Sequence, residues 1–341
     1  MIQTKYFKNL VPLVAGIAIT ISALEVLFRI LPVKTVHKFA NNDVSEPVLR
    51  SNSTSLVEPI DWKFSQKYER KINNYGFVDD FDYIPKSQPI AVIGDSYIQS
   101  SMLPYSKTIQ GRLAAKSGNK VPVYSFGIPM YSLAGYLGAA EYASKEFQPR
   151  AFIFLLNESD IHRSLEAYPG SYFLTDADLE LKFKDDKGSR LNRILSESAL
   201  FRYLFVQIKF DPQKIIKAQF QSPKSTPILT QDRCQQISNR LLDLFAAKTT
   251  VTPQNTIFII DSDRQSIYDR KPPTNRHELL TFKNIATARG YRVIDTQPTF
   301  QAEYQRTGKK LDFLPTDFHW NARAHQLAAD LVDPILTDIV K

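Results

Sequence analysis

The stretch from Pro89 to Tyr97 constrains the fold more than any other part of the chain. Ile90 to Ile93 form an unbroken apolar run, and Gly94-Asp95-Ser96 cuts it short. A run of this kind fits a strand buried on both faces of a parallel sheet, where side chains need not alternate with water-facing ones. In open α/β sheets, the residues just past the carboxyl ends of strands are where ligands and chemistry collect. Ser96 sits at such a place. A serine there becomes a nucleophile if the chain also supplies a base, a carboxylate to hold that base, and donors for an oxyanion.

The remaining sequence supplies a sheet for that strand. Val121 to Ser125 reads as a second strand ended by Phe126-Gly127, and Ala151 to Leu156 as a third, followed by Asn157-Glu158-Ser159-Asp160. Thr256 to Ile260 and Tyr291 to Ile294 read as the fourth and fifth. Helices are expected between them, from a Ser106 cap to Lys116, over Leu133–Phe147, Asp232–Lys248 and Asn275–Arg289, with an amphipathic helix over Asn321–Val340 closing the chain. Strand and helix alternate, which predicts an α/β fold whose parallel sheet is covered on both faces. Residues 163–254 are far too long for an ordinary crossover and read as an insertion, expected to form a lid or substrate wall or else to decorate the core. Arg193–Phe210 within it reads as a helix.

Ahead of this domain, Leu10 to Leu31 reads as a transmembrane anchor. The segment carries only Glu25 and Arg29, four apart on one helical face where they can pair. As a helix it spans about 33 Å, enough for a hydrocarbon core of about 30 Å. A cleaved signal peptide is the rival reading, but no small-x-small site follows the run. Residues 1–9 are then a short tail and 32–86 a polar stalk leading into a catalytic domain over 87–341. Lysine and arginine number 43 against 35 acidic residues, and the excess of +8 is spread without a dense basic cluster. No nucleic-acid partner is expected. The single cysteine, Cys234, excludes an internal disulfide framework and a cysteine-rich metal site. Asp261-Ser262-Asp263 ends the fourth strand without a nearby His or Cys and reads as a solvated loop. His162 is expected at the pocket or the surface, and His325 as a packing or capping residue.

Asp317-Phe318-His319-Trp320-Asn321 supplies the missing chemistry. In an extended segment Asp317 and His319 project to the same side, so the carboxylate can orient the imidazole while its other nitrogen faces Ser96. Gly127 and Asn157 both follow strands at the same edge of the sheet. A backbone N–H from Gly127, the N–H of Ser96 and the Asn157 amide would make a three-donor oxyanion hole. Position 98 is Ile, so the Gly-x-Ser-x-Gly elbow of the α/β-hydrolases is absent, as is any phosphate-binding glycine loop.

Together these blocks resemble the SGNH (GDSL-like) hydrolase superfamily over roughly 88–160 and 255–340. Gly94-Asp95-Ser96 is similar to its first block, Phe126-Gly127 to its second, Asn157–Asp160 falls at the third, and Asp317-x-His319 at the last. The resemblance implies a three-layer α/β/α, flavodoxin-like fold of strand order 2-1-3-4-5, acting without cofactor or metal. It assigns Ser96 as nucleophile, His319 as base and Asp317 as orienting acid. Two departures stand out. In strict register the third-block asparagine is Ser159, so the side-chain donor is Asn157 first and Ser159 second. The last block has one residue between acid and base rather than two, a form that looks like the membrane-tethered envelope branch containing polysaccharide O-acetyltransferases. The activity implied is hydrolysis or transfer of an acyl group on an envelope glycan or other acylated substrate, outside the cytoplasm. The alternative is an inactive glycan-binding module on the same scaffold.

Overall fold

The computed structural model describes residues 3–36, 46–59, 64, 67–185, 190–208, 210, 229–274, 276–313 and 317–340. These fall into two compact units. The larger unit is built on five parallel strands: β1 (Ile90–Gly94), β2 (Val123–Gly127), β3 (Ala151–Leu156), β4 (Thr256–Ile260) and β5 (Arg292–Asp295). Their order across the sheet is β2-β1-β3-β4-β5, the 2-1-3-4-5 arrangement expected above. Pairing is in register, with Ile93 opposite Phe126 and Phe154 and Phe154 opposite Phe258.

Every residue of β1 to β4 is buried. The pleat sends successive side chains to opposite faces, so Ala91 and Ile93 enter one core while Ile90 and Val92 enter another. Five helices recur below: α1 (Gln3–Ile30), α2 (Ser96–Gln99), α3 (Ile109–Lys116), α4 (Leu133–Glu146) and, in the smaller unit, α5 (Arg190–Glu197). They are followed by α6 (Ala199–Phe201), α7 (Gln231–Lys248), α8 (Arg264–Asp269), α9 (His277–Ala288), α10 (Gln297–Thr307) and α11 (Ala322–Val340). Helices α4, α7 and α9 cover the first face, and α3, α10 and α11 the second. The result is three layers.

Several boundaries differ from those read in the sequence. The α3 helix starts at Ile109, because Thr108, extended and just ahead of it, accepts from the Gly111 amide; Ser106 lies in a single 3-10 turn. Residues 231–248 of the expected insertion are α7, whose Ile237, Leu241 and Phe245 are core residues, so this part is an ordinary crossover helix. Described residues of the segment taken as stalk also belong to the core. Val48, Leu49, Phe77 and Tyr83 are buried in the first core, where Tyr83 stacks on Tyr124 at 3.8 Å between ring centroids. Scattered aromatics among polar residues carry no period, which is why the stretch reads as linker. The expected helix over Arg193–Phe210 is broken into α5, α6 and a π-helical turn over Arg202–Gln207.

The smaller unit comprises residues 1–36, 56–69 and 188–224, of which the described part includes α1, α5 and α6. Within α1, Val11–Ile30 has a mean hydropathy of 2.2 and no part of it is buried, making it long and apolar enough to cross a membrane.

Candidate active site

Ser96 is the first residue of α2, immediately after β1. Asp95 caps that helix by accepting from the Tyr97 amide, at 2.9 Å. The strand delivers the serine to the sheet rim, and the cap turns the chain there. First-turn amides of a helix have no partner inside it, and Ser96 is such a residue.

The base arrives on a separate strand, β6 (Asp317–Trp320), which pairs antiparallel with Asp312–Phe313. Along β6 the residues alternate. Asp317 and His319 share one side, and Trp320 on the other is fully buried in the second core. His319 Nε2 lies 2.7 Å from Ser96 Oγ, while its Nδ1 is hydrogen-bonded to the Asp317 carboxylate. Asp317 also accepts from the His319 backbone amide, at 2.9 Å. Segments 223 positions apart thus form one Ser–His–Asp relay. Nucleophile and base within hydrogen-bond reach, with a third group orienting the base, is the arrangement that activates a hydroxyl.

What holds β6 in place was read in the sequence as a solvated loop, and the structure corrects that. Asp261, just past β4, is buried and accepts from the Trp320 indole, at 2.9 Å. Arg264, also buried, donates to Asp261, to Asp312, to the Phe318 carbonyl and to the Tyr97 hydroxyl, the last two both at 2.8 Å. Tyr97 in turn donates to the Phe318 carbonyl, at 3.0 Å, and its ring lies against His319 with centroids 4.9 Å apart. Burial works against the Arg264 charge, but Asp261, Tyr97 and Asp312 outweigh it and hold the guanidinium firmly protonated. Asp-Ser-Asp at a strand end resembles many exposed turns, and only the partner strand arriving some 50 positions later reveals it as a buttress.

The expected side-chain oxyanion donors are tied into a local hydrogen-bond network. Asn157 donates from its amide to Asp95, at 2.8 Å, and its side-chain oxygen accepts both the amide and the hydroxyl of Ser159, at 2.9 and 2.7 Å. Both candidates, in line with the sequence, lie along one cleft, but each is engaged with the other. Below them Asp160, fully buried, accepts from the Asn157 amide and the Tyr136 hydroxyl, both at 2.9 Å. Burial, reinforced by the charge of Asp95, pushes its carboxyl well above the usual range, and burial raises Asp95 as well. Gly127 has a packing role: a Cβ there would stand 2.1 Å from the Gln99 backbone nitrogen, so only glycine lets α2 lie this close to β2. It lines a small separate cavity with Leu49, Gly76 and Val78.

The cleft beside the relay has a volume of about 580 Å³, within the range of small-molecule sites. Tyr97, Tyr268 and Phe318 give it aromatic surface, and Asp95, Glu158, Arg163 and Arg276 give it charge. His325 is buried away from the relay, between Ser100 Oγ at 3.1 Å and the Ile109 amide at 3.2 Å. His162 is half-buried and pairs with Glu278, at 3.1 Å. Elsewhere, Cys234, His277 and Glu278 have potential ligand atoms within 4.8 Å of one another, though His277 Nε2 is also 3.0 Å from the Leu229 carbonyl.

No family model and no curated protein matches the sequence. Solved structures do. A lipolytic G-D-S-L family protein from Veillonella parvula is 14% identical with a TM-score of 0.39, covering 73% of this chain and 98% of its own. A carbohydrate acetylesterase from Sinorhizobium meliloti is 8% identical with a TM-score of 0.36, covering 73% of this chain and 99% of its own. A two-domain esterase active on acetylated mannans is 12% identical with a TM-score of 0.36, covering 74% of this chain and 49% of its own. By its own strand order, the chain has the three-layer, flavodoxin-like architecture, with Ser96 and the Asp317–His319 strand meeting at one rim of the sheet.

Proposed function

We propose that this protein is a serine-dependent acyl ester hydrolase or O-acyltransferase, and that α1 tethers it to a membrane with the catalytic unit outside the cytoplasm. One observation carries the reading: the 2.7 Å contact between His319 Nε2 and Ser96 Oγ, with Asp317 on the opposite ring nitrogen. Ser96 Oγ attacks the acyl carbonyl and its proton passes to His319 Nε2. Asp317 accepts the Nδ1–H and stabilises the imidazolium that forms. The Ser96 and Gly127 amides and the Asn157 side chain, turned away from Asp95, are the donors assigned to the developing oxyanion. Collapse of the tetrahedral intermediate expels the alcohol, which leaves with the proton from His319. Water, or a hydroxyl of an acceptor, then resolves the acyl-enzyme by the same route in reverse.

The cleft supports a polar substrate. A long acyl chain requires a continuous apolar tunnel, whereas charged and aromatic side chains interleave around this one. Aromatic faces with carboxylates and guanidinium groups suit a short acyl group, acetyl above all, on a hydroxyl-rich carrier such as a glycan. The test is release of acetate from an aryl acetate and from acetylated oligosaccharides by the full chain, with and without oligosaccharide acceptors. Turnover abolished in Ser96→Ala supports the reading, and acetate moving to an acceptor selects the transferase. A folded wild type with no turnover of any ester, and with measurable oligosaccharide binding, selects a glycan-binding module instead.

A further inference from the structure

The smaller unit contains an arrangement that a simple tether does not need. Glu25 lies inside the apolar span Val11–Ile30 of α1. A carboxylate at that depth needs its own partners, since lipid offers none. It has four. Arg29 Nε donates to it at 2.8 Å, one turn away. The other three come from the start of α6: the Ser198 hydroxyl at 2.7 Å and the amides of Ala199 and Leu200, both at 3.0 Å. Glu25 therefore accepts the first-turn amides of a helix some 170 residues later, beside that helix's own N-cap, Ser198. Phe28 stacks on Tyr203 at 4.2 Å between centroids, and the Lys34 amide donates to Gln207 at 3.1 Å. The segment from Ser198 to Gln207 is pinned along the last turns of α1.

Depth follows from helix geometry. The span Val11–Ile30 is about 30 Å long, and Glu25 is about 7 Å from its Ile30 end at roughly 1.5 Å per residue. That is the boundary between headgroups and acyl chains, where amphipathic helices rest about 5–10 Å deep. The attached elements have the composition for it. In α5, Leu191, Ile194 and Leu195 recur at helical spacing among Arg190, Asn192, Arg193 and Glu197. Beyond it Phe205, Ile208 and Phe210 are more than a third exposed, and Ile194 is 63% exposed. These apolar groups continue the bare surface of α1, which is the reason to assign their cover to lipid.

We propose that α5, α6 and the turn through Ile208 form a second membrane-binding element lying in the plane of the interface beside the end of α1, with Phe205 and Ile208 among the acyl chains. The unit is then a two-part membrane platform, and Glu25 is the residue that couples its parts. The inference rests on α1 remaining attached and spanning the bilayer.

The test uses the full chain reconstituted into phosphatidylcholine vesicles, with an indole introduced by Phe205→Trp and, in a second protein, by Ile208→Trp. Wild-type emission from the two native tryptophans is subtracted. Flotation with the vesicles reports on α1. Brominated acyl chains and aqueous acrylamide then report on the new indole. Bromolipid is expected to remove most of the emission at both positions while acrylamide removes little, and Glu25→Ala is expected to reverse that preference with flotation intact. A floating protein whose indoles are quenched by acrylamide alone, or by neither agent, overturns the interfacial element and leaves the anchor standing. A protein that does not float overturns both.

Discussion

The relay and the donor cluster near it are built unequally. On the relay side, His319 reaches both Ser96 and Asp317, and its strand is fixed from behind by Trp320, Asp261 and Arg264. On the donor side, Asn157 hydrogen-bonds to both Ser159 and Asp95, over a buried Asp160. The relay needs accurate placement of one proton path, and a rigid buttress provides it before substrate arrives. The donor side works only if an amide or hydroxyl can turn toward an oxyanion, and here both are held by a local network. On the proposed function, this contrast assigns the commitment to chemistry to the relay and the tuning of rate to the donors.

Breaking the relay should have the largest effect. Ser96→Ala or His319→Ala is expected to lower kcat for an aryl acetate by about 10⁴-fold or more, since members of such a unit fail together rather than additively. A double variant should be scarcely worse than either single one. Removing the buttress comes next. Arg264→Gln leaves Asp261 and Asp312 as buried carboxylates without their cation, a kind of break that costs about 3–5 kcal/mol and should appear as a lowered urea midpoint. Arg264→Lys, keeping the charge but losing the fork of donors, should restore stability in part and activity less.

The donor side is sharpened by comparing Asn157→Ala with Ser159→Ala at matched stability. Loss of an oxyanion donor lowers kcat by about 100- to 1,000-fold, and whichever variant shows it identifies the donor; we expect Asn157. Gly127→Ala should act on folding, because the new methyl meets backbone rather than a movable side chain. Overpacking of that kind costs about 1–3 kcal/mol, seen as a fall in Tm with α2 displaced.

The smallest effect is pH-dependent. Burial pushes His325 down to about 3, and neighbouring Arg112 and His319 charges push the same way. The folded protein therefore keeps this ring neutral while the unfolded chain protonates it near its ordinary value of about 6.5. Stability contributed by the neutral ring is complete above that value and drains away as pH falls toward 3, by up to about 1.4 kcal/mol per pH unit. His325→Gln should flatten this part of the urea-midpoint profile between pH 6 and 4.

Strands buried on both faces announce themselves as apolar runs, so β1, β3 and β4 were legible almost to the residue and β2 to within two residues at each end, and with them the rim carrying Ser96. The Asp317-x-His319 spacing was legible because a two-residue period on a strand sets both side chains on one side. Arg264 and Asp261 were not, because polar residues in a loop look solvated until the strand that buries them is in place. Tyr83 was hidden for a related reason, as an isolated aromatic whose stacking partner, Tyr124, lies on β2. Gly127 was read as an oxyanion donor from its position at the rim, and its packing against Gln99 depends on a backbone path that sequence does not show. A helix over 193–210 was foreseen without its break or its partner in α1.

The relay itself is most directly tested by a fluorophosphonate, which traps only a serine activated by a working base. Full-length wild type should be modified at one residue, identified as Ser96 by peptide mass spectrometry, with labelling abolished in Ser96→Ala and slowed by orders of magnitude in His319→Ala. Labelling of another serine, or equal labelling with and without the His319 imidazole, would contradict the account.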